Sequence, residues 1–173
     1  MVFETERLML RELTEDDLPD LRSILQDPDV MYAYEHTFSE EDVRAWLERQ
    51  FQRYREIGTG LWAVVLKETG EMIGQAGLTY QSCEGEQVFE IGYLLKKAHW
   101  HRGYATEAAQ GCKKYAFEVL GHEVVHSLIK ADNYASQGVA RRVGMHKAKE
   151  FTTRFYAGDM LHILYRLRRD GAF

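Results

Sequence analysis

The sequence predicts an α+β fold in which helices flank a mixed, mostly antiparallel twisted sheet. Strand and helix periodicities follow one another in the order β, α, α, β, β, β, α, β, α, β, β, and hairpin turns join several strands. The strand, helix and strand between Val88 and Lys130 should form a right-handed crossover with parallel strands. Because 45% of the 173 residues are hydrophobic and only two are prolines, we expect residues 1–173 to form a single domain.

The amino-terminal third of the chain predicts one strand and two helices. Leucines alternate with charged residues from Arg7 to Glu12, which is the period of a half-buried strand. Thr14 lies three residues before Asp17, a spacing typical of a capped helix start. Ser39 provides a second cap, for a longer amphipathic helix that should end near Gly58.

The remainder of the chain predicts six strands and two helices. Apolar runs rich in β-branched and aromatic residues indicate the strands, and Gly121 and Gly144 should end the helices. The predicted strands are 61–67, 72–80, 88–95, 124–130, 147–156 and 160–167, and the predicted helices are 105–120 and 136–143.

Charge and cysteine content restrict the functional classes. The net charge is −5 and the Lys and Arg residues are scattered among acids, which argues against nucleic acid as a direct partner. Cys83, in a predicted polar loop, and Cys112, on a predicted helix, lack the spacing of metal ligands, so we expect free thiols and no metal. No apolar run approaches the ~20 residues that span a bilayer, so we expect no membrane association and a cytoplasmic location.

An anion-binding turn is predicted between Glu90 and Ala108, where an apolar strand leads through a glycine into a helix that begins with small residues. The first N–H groups of a helix have no intrahelical partner and attract anions such as a pyrophosphate. Gly103 permits a positive φ or a close ligand, and Ala105 and Thr106 leave the start of the helix uncrowded. Such turns also occur for packing alone, so the turn by itself leaves that alternative open.

Three motifs resemble those of one enzyme family. The pattern Trp-x-x-Gly-x-Ala-Thr-Glu-Ala at 100–108 resembles the acetyl-CoA-binding signature of the GNAT superfamily of N-acetyltransferases. The segment 4–17 resembles the opening of the ribosomal-protein N-terminal (RimJ/RimL-type) acetyltransferases, and 133–145 is similar to the second cofactor motif of the superfamily. The resemblance covers nearly the whole chain and implies the GNAT fold, in which two central parallel strands splay apart.

The resemblance also implies that acetyl-CoA enters the splay. Its pantetheine arm would pair with the backbone of Tyr93, Leu94 and Leu95, and its pyrophosphate with the amides of Arg102, Gly103, Tyr104, Ala105 and Thr106. Asn133 would hold the pantetheine amide, or else would only close an Asx-type turn. Basic residues that could complement the phosphates or simply face water are His99, His101, Arg102, Arg141 and Arg142.

The implied reaction is direct transfer of acetyl to a primary amine in a ternary complex, without a covalent enzyme intermediate. Glu90 is the first candidate for the base, since burial would raise its pKa; the alternative is an outward strand residue paired with Lys or Arg. Glu150 and Asp159 are weaker candidates for the same role. By resemblance, the backbone amide near Leu94 is the candidate oxyanion donor.

The general acid is less evident. Many superfamily members carry a tyrosine in the second helix, four residues before its closing glycine, and this chain has Ala140 there. The resemblance suggests Ser136 as the residue that hydrogen-bonds the cofactor sulfur, and the alternative is that Ser136 only caps its helix. Tyr134 is a reserve donor.

The acceptor pocket is expected between the early helices, the strand at 61–67 and the final hairpin. The acceptor is a protein N-terminus or a small-molecule amine such as an antibiotic, a polyamine or an amino acid, and the enzyme is a monomer or a homodimer. Two other interpretations are a catalytically silent acyl-CoA-binding module, which Ala140 makes conceivable, and a structural domain without a ligand. Aromatic residues that could line the pocket or serve the core are Tyr32, Tyr34, His36, Trp62, Tyr80 and Tyr156.

Overall fold

The computed structural model describes residues 1–172. Within them, the strands are β1 (Phe3–Glu4), β2 (Leu8–Arg11), β3 (Leu61–Leu66), β4 (Met72–Cys83), β5 (Glu86–Leu95), β6 (Val124–Lys130), β7 (His146–Phe155) and β8 (Gly158–Arg168). The helices are α1 (Leu18–Leu25), α2 (Glu40–Ile57), α3 (Tyr104–Lys114) and α4 (Tyr134–Val143). Short 3-10 turns lie at Glu15–Asp17, Tyr32–Tyr34 and Lys97–His99.

All of these strands join one sheet in the order β1-β2-β3-β4-β5-β6-β8-β7. Neighbouring strands are antiparallel except β5 and β6, which are parallel because α3 carries the chain back across the sheet. Those two strands pair only at Glu90 and His126, and beyond this pair they part. The predicted α+β fold, with a mixed sheet and splayed central parallel strands, is therefore confirmed.

Helices cover both faces of the sheet and create two cores. On one face, α1 and α2 pack on β3, with Trp46 of α2 and Val65 of β3 in the same buried cluster. On the other face, Ala108 of α3 and Val143 of α4 belong to a second cluster built on the central strands. Among the helices of residues 1–172, none has both the length and the apolar character needed to cross a membrane.

Capping residues set the helix starts much as predicted. The side chain of Asp17 accepts from the N–H of Thr14, and a 3-10 turn then leads into α1. Ser39 forms a capping box with Asp42 at the start of α2, and Gly58, at φ 73°, ends that helix. The α2 boundaries are those that the sequence predicted.

Two local features differ from the prediction. The sequence predicted one helix over 105–120, whereas α3 ends at Lys114. A π-helical turn follows at Tyr115–Val119, and Val119 in it is 64% exposed. Cys83 does not lie in a polar loop; β4 continues through it, and its side chain is buried. Cys83 and Cys112 are both unpaired thiols, as expected.

Gly77 is the position where β4 comes closest to the neighbouring chain segment. A Cβ atom there would lie 1.9 Å from the carbonyl oxygen of Gly60, which is backbone and cannot rotate away. We predict that Gly77→Ala lowers the free energy of unfolding by about 3 kcal/mol. Its cross-strand partner Gly92 has 3.6 Å of space, so Gly92→Ala should cost less than about 1 kcal/mol. Chemical denaturation of both variants tests this, and equal losses would contradict it.

Candidate active site

Strands β5 and β6 separate at a junction where two side chains take over hydrogen bonds of the backbone ladder. Beyond the pair of Glu90 and His126, side-chain bonds replace the backbone ladder. The hydroxyl of Ser127 donates to the carbonyl oxygen of Ile91 over 2.8 Å, and the N–H of Leu128 donates to Oε1 of Glu90 over 3.0 Å. The carbonyl of Ile91 and the N–H of Leu128 are thus satisfied without strand pairing.

The edge of β5 that borders this gap offers main-chain groups to a ligand. The N–H of Lys96 donates to β4 over 2.8 Å, and alternate residues of an antiparallel strand bond the same neighbour, so Leu94 also directs its backbone to β4. Tyr93 and Leu95 direct theirs to the gap, where the Leu95 carbonyl already accepts from the indole of Trp100 over 2.9 Å. An extended ligand can therefore pair with Tyr93 and with the N–H of Leu95.

Glu90 lies at the junction as a half-buried residue. It has no ion pair with any residue in the range 1–172, so the interpretation of Glu90 as an outward, salt-bridged strand residue does not describe the structure. Burial raises the pKa of Glu90 to about 7, although the bond from Leu128 and the positive charge of Arg53 act in the opposite direction. A carboxyl that titrates near neutral pH suits a general base.

The turn between β5 and α3 leaves three backbone donors free. His101 and Gly103 have φ angles of 60° and 80°, and Gly103 is the N-cap of α3. The first intrahelical bond runs from the N–H of Glu107 to the carbonyl of Gly103, so the N–H groups of residues 104–106 precede the ladder. These donors, together with the helix dipole, fit an anion such as a pyrophosphate.

Arg7, between β1 and β2, contacts this turn and stabilises it. Its Nε donates to Glu107 over 2.7 Å, its Nη1 donates to the carbonyl of Arg102 over 3.0 Å, and its guanidinium lies 4.5 Å from the centroid of the Tyr104 ring. Partial burial raises the pKa of Glu107, but the hydrogen bonds from Thr5 and Arg7 lower it more. The pKa of Glu107 therefore lies below its ordinary value. The sequence analysis missed Arg7, because its partners lie about a hundred residues away.

The second cofactor motif forms the start of α4. Asn133 is the N-cap, and its Oδ1 accepts from the N–H of Ser136 over 3.1 Å and from the hydroxyl of Tyr32 over 2.6 Å. Ser136 is therefore not the helix cap, and its own hydroxyl has no partner among residues 1–172. The hydroxyl of Tyr93 donates to the carbonyl of Ser136 over 2.9 Å. Two hydroxyl-bearing residues thus meet where α4 begins, whereas Ala140 is buried farther along the helix.

Aromatic side chains gather on the α2 face of the sheet, next to Glu90. The ring of Tyr34 packs edge-on against Trp46 and Phe155, with centroid distances of 6.5 Å and 5.8 Å. His36 stacks on Tyr156 at 4.1 Å. Burial raises the pKa of Tyr34, and the charge of Glu90 adds to this effect. Three of the predicted acceptor-pocket residues, Tyr34, His36 and Tyr156, are therefore brought together.

Two predicted pocket residues lie elsewhere. Trp62 is 1% exposed and packs edge-on against Phe3 in the core beneath α3, because its position in β3 points to that face. Tyr80 lies against Phe89 with ring centroids 4.9 Å apart, and successive strand residues alternate, so this pair faces the side of the sheet opposite Glu90. Of the two alternatives that the sequence left open, core packing therefore describes Trp62, whereas Tyr80 is 44% exposed.

The weaker base candidates and the basic residues also separate. Glu150 pairs with Lys147 along exposed β7, and Asp159 is exposed at the start of β8. Three of the basic residues have protein partners. Among them, His99 approaches Glu71 at 3.2 Å, and Arg141 donates to the hydroxyl of Tyr165 over 3.5 Å. The Nε of Arg142 donates to the hydroxyl of Thr106 over 3.1 Å and so reaches the start of α3, whereas His101 is exposed.

Arg53 is a second residue that the sequence analysis missed. It lies on α2, partly buried, and acts electrostatically on both Glu90 and Tyr34. The sequence did contain a signal, because Arg53 follows Trp46 by seven residues and therefore lies on the apolar stripe of the helix, where a charge is unexpected.

Comparison with known proteins agrees with this architecture. Residues 7–146 match the family model for the acetyltransferase (GNAT) domain. The chain is 37% identical to the Bacillus subtilis protein YkkB over 146 residues, which cover 84% of this chain and 85% of that protein. It is 27% identical to the N-acetyltransferase YoaA of the same organism, over 84% of this chain and 83% of the relative. The chain belongs to the GNAT family of acetyltransferases.

Solved structures share the fold along almost the entire chain. An acetyltransferase from Agrobacterium tumefaciens has a TM-score of 0.81 at 30% identity and covers 96% of this chain and 94% of its own. RimL, a ribosomal alpha-N-protein acetyltransferase in complex with coenzyme A, has a TM-score of 0.80 at 16% identity, with 99% of each chain covered. The RimJ/RimL resemblance is thus matched by a shared fold.

The raised pKa of Glu90 predicts a pH-dependent stability. Glu90 is protonated in both states below the unfolded pKa of ~4.3, whereas between there and about 7 the folded state holds the proton more tightly. The wild-type protein should therefore lose stability over this window, by an amount on the order of 3–4 kcal/mol. In Glu90→Gln that slope should be absent, so the variant gains relative stability from pH 5 to pH 8. Parallel denaturation curves at each pH check this, and a constant difference would contradict it.

Proposed function

We propose that this protein transfers an acetyl group from acetyl-CoA directly to a primary amine, in a ternary complex without a covalent enzyme intermediate. The observation that carries the proposal is the gap between β5 and β6, with Glu90 at its apex and free helix N–H groups near its mouth. The fold is shared with RimL, which is described in complex with coenzyme A. The acceptor is a small-molecule amine or a protein N-terminus.

The chain offers a distinct set of groups to each part of the cofactor. The N–H groups of residues 104–106 would bind the pyrophosphate, with Arg102 and Gly103 in the preceding turn and Arg142 beside it. Tyr93 and Leu95 would pair with the pantetheine arm, Leu94 would contribute contacts of its side chain, and Asn133 would contribute its Nδ2 group. When bound, acetyl-CoA supplies the thioester acyl group and the thiol leaving group.

Glu90 would accept the proton of the attacking amine. The residue is half-buried and its pKa lies near 7, so a substantial fraction is ionised at neutral pH. The new N–C bond forms as the C–S bond breaks, and the developing oxyanion needs an N–H donor that faces the gap. Because Leu94 directs its amide at β4, we assign this donor to Tyr93 or Leu95.

Ser136 would donate to the leaving sulfur. Its hydroxyl has no partner among residues 1–172, whereas the hydroxyl of Tyr93 already donates to the Ser136 carbonyl. Ala140 stands where many superfamily members carry a tyrosine, so the hydrogen bond that stabilises the departing thiolate must come from another group. Tyr134 is 73% exposed and therefore less well held for this task.

Acetyl-CoA should stabilise the folded protein. A ligand that binds only the folded state at 100 times its Kd adds about 2.7 kcal/mol, which is a rise in Tm of roughly 5–10 °C for a chain of this length. Gly103→Val should abolish the shift, since Gly103 has φ 80° at the helix N-cap. Gly121→Val is the matched control, because it has φ 74° with no atom close to its Cβ position. An equal loss of shift in both variants, or no shift in the wild type, would remove the cofactor assignment.

Turnover should depend on Glu90 and Ser136. On an amine substrate found by screening for thiol release, kcat/KM of the wild type should rise with pH around an apparent pKa near 7. Glu90→Gln should lower it by about 10²–10³-fold and flatten the pH profile, and Ser136→Ala should lower kcat by about tenfold. Both variants should keep the Tm shift with acetyl-CoA. Cofactor binding without turnover on any amine would favour the silent acyl-CoA-binding module instead.

A further inference from the structure

The guanidinium of Arg53 lies on the α2 face of the sheet, close to the groups that surround Glu90. Its Nη1 donates to Oε1 of Gln50 over 3.3 Å, and the same oxygen accepts from the N–H of Leu61 over 3.0 Å. The side chain of Leu61 in turn borders Gly92, whose Cβ position lies 3.6 Å from Leu61 and 4.0 Å from Oε2 of Glu90. A short series of contacts therefore connects Arg53 to the predicted base.

Arg53 has a charge that the protein does not neutralise. No carboxylate lies within ion-pair distance of it among residues 1–172, and its one hydrogen bond goes to a neutral amide oxygen. Burial lowers the pKa of Arg53, and the nearby charge of Arg49 lowers it further. A partly buried guanidinium with most of its five donors unused is costly unless a ligand supplies an anion.

The neighbours of Arg53 make the site bipolar. Glu90 can take up a proton, Arg53 carries a permanent positive charge, and Tyr34 interacts electrostatically with both. An ammonium ion complements the carboxylate, and a planar carboxylate complements the forked donors of the guanidinium. A compact molecule with both groups matches this arrangement better than a simple amine does.

We propose that Arg53 binds the carboxylate of the acceptor, and that the acceptor is a small amino acid or related amino carboxylate whose amine faces Glu90. This inference rests on the proposed acetyl transfer and specifies its substrate class. A protein N-terminus has no α-carboxylate, so it would match the site only if an acidic side chain followed closely. A polyamine would meet the positive charge of Arg53 and is disfavoured.

Binding of reaction products tests this without turnover. A panel of N-acetyl amino acids and the corresponding N-acetyl amino acid amides, which differ only in the carboxylate, would be titrated into the protein with coenzyme A present. We expect at least one acid to bind tenfold or more tightly than its amide by calorimetry. In Arg53→Gln this ratio should fall to near one, and Arg53→Lys should retain part of it. Amides that bind as well as acids would overturn the proposal.

Two further arms separate the possible explanations. Arg49→Gln, one turn earlier on α2 and exposed, is the matched control and should keep the wild-type ratio. If Arg53 only changes the pKa of Glu90, Arg53→Gln would shift the pH profile of kcat/KM equally for acidic and neutral acceptors. The ratio of acid to amide affinity would then stay unchanged, and that outcome would also overturn the proposal. Stronger binding of peptides with an acidic first residue than of any free amino acid would replace the small molecule by a polypeptide.

The proposed function can fail separately from this inference. If acetyl-CoA does not raise the Tm of the wild type, acetyl transfer falls, and with it the acceptor role of Arg53. If acetyl-CoA binds and amines are acetylated but the acid-to-amide ratio stays near one, only the role of Arg53 falls.

Discussion

The exchange of hydrogen bonds at the β5–β6 junction is the interaction on which the rest of the site depends. Two strands of a sheet cannot part without leaving backbone donors and acceptors unpaired, and buried unpaired groups are costly. Here Ser127 satisfies Ile91, and Glu90 satisfies Leu128, so the ladder ends without that penalty. Side chains thus complete the hydrogen bonding at the gap, and one of them is the predicted base.

Glu90 lies where the two faces of the sheet are closest to each other's functional candidates. Successive side chains of a strand point to opposite faces of the sheet, so Phe89, Ile91 and Tyr93 join the core beneath α3 and α4. Glu90 and Gly92 lie toward Leu61 and the α2 face. The cofactor motifs are on α3 and α4, whereas the aromatic residues and Arg53 are on the α2 side. The gap between β5 and β6 is where these two sides communicate.

Most helices and strands could be predicted from local sequence signals, because caps, helix stops and periodicity depend on residues close in sequence. The capping box at Ser39, the stop at Gly58 and the apolar run of β6 each fixed a boundary correctly. The π-helical turn after Lys114 and the burial of Cys83 were not foreseen, since both depend on how the segment packs. Likewise, the sequence around an aromatic residue such as Trp62 does not distinguish a position in a pocket from a position in the core.

The sequence by itself determined the order of elements, the glycine turn before α3 and the family. These depend on periodicity, on the conformational freedom of Gly103 and on a motif contiguous along the chain. Only the tertiary structure decided that Arg7 braces the turn, that Asn133 caps α4 in place of Ser136, and that Arg53 acts on Glu90. Each of these depends on distance and burial, which arise when separate segments pack, and no local pattern encodes them.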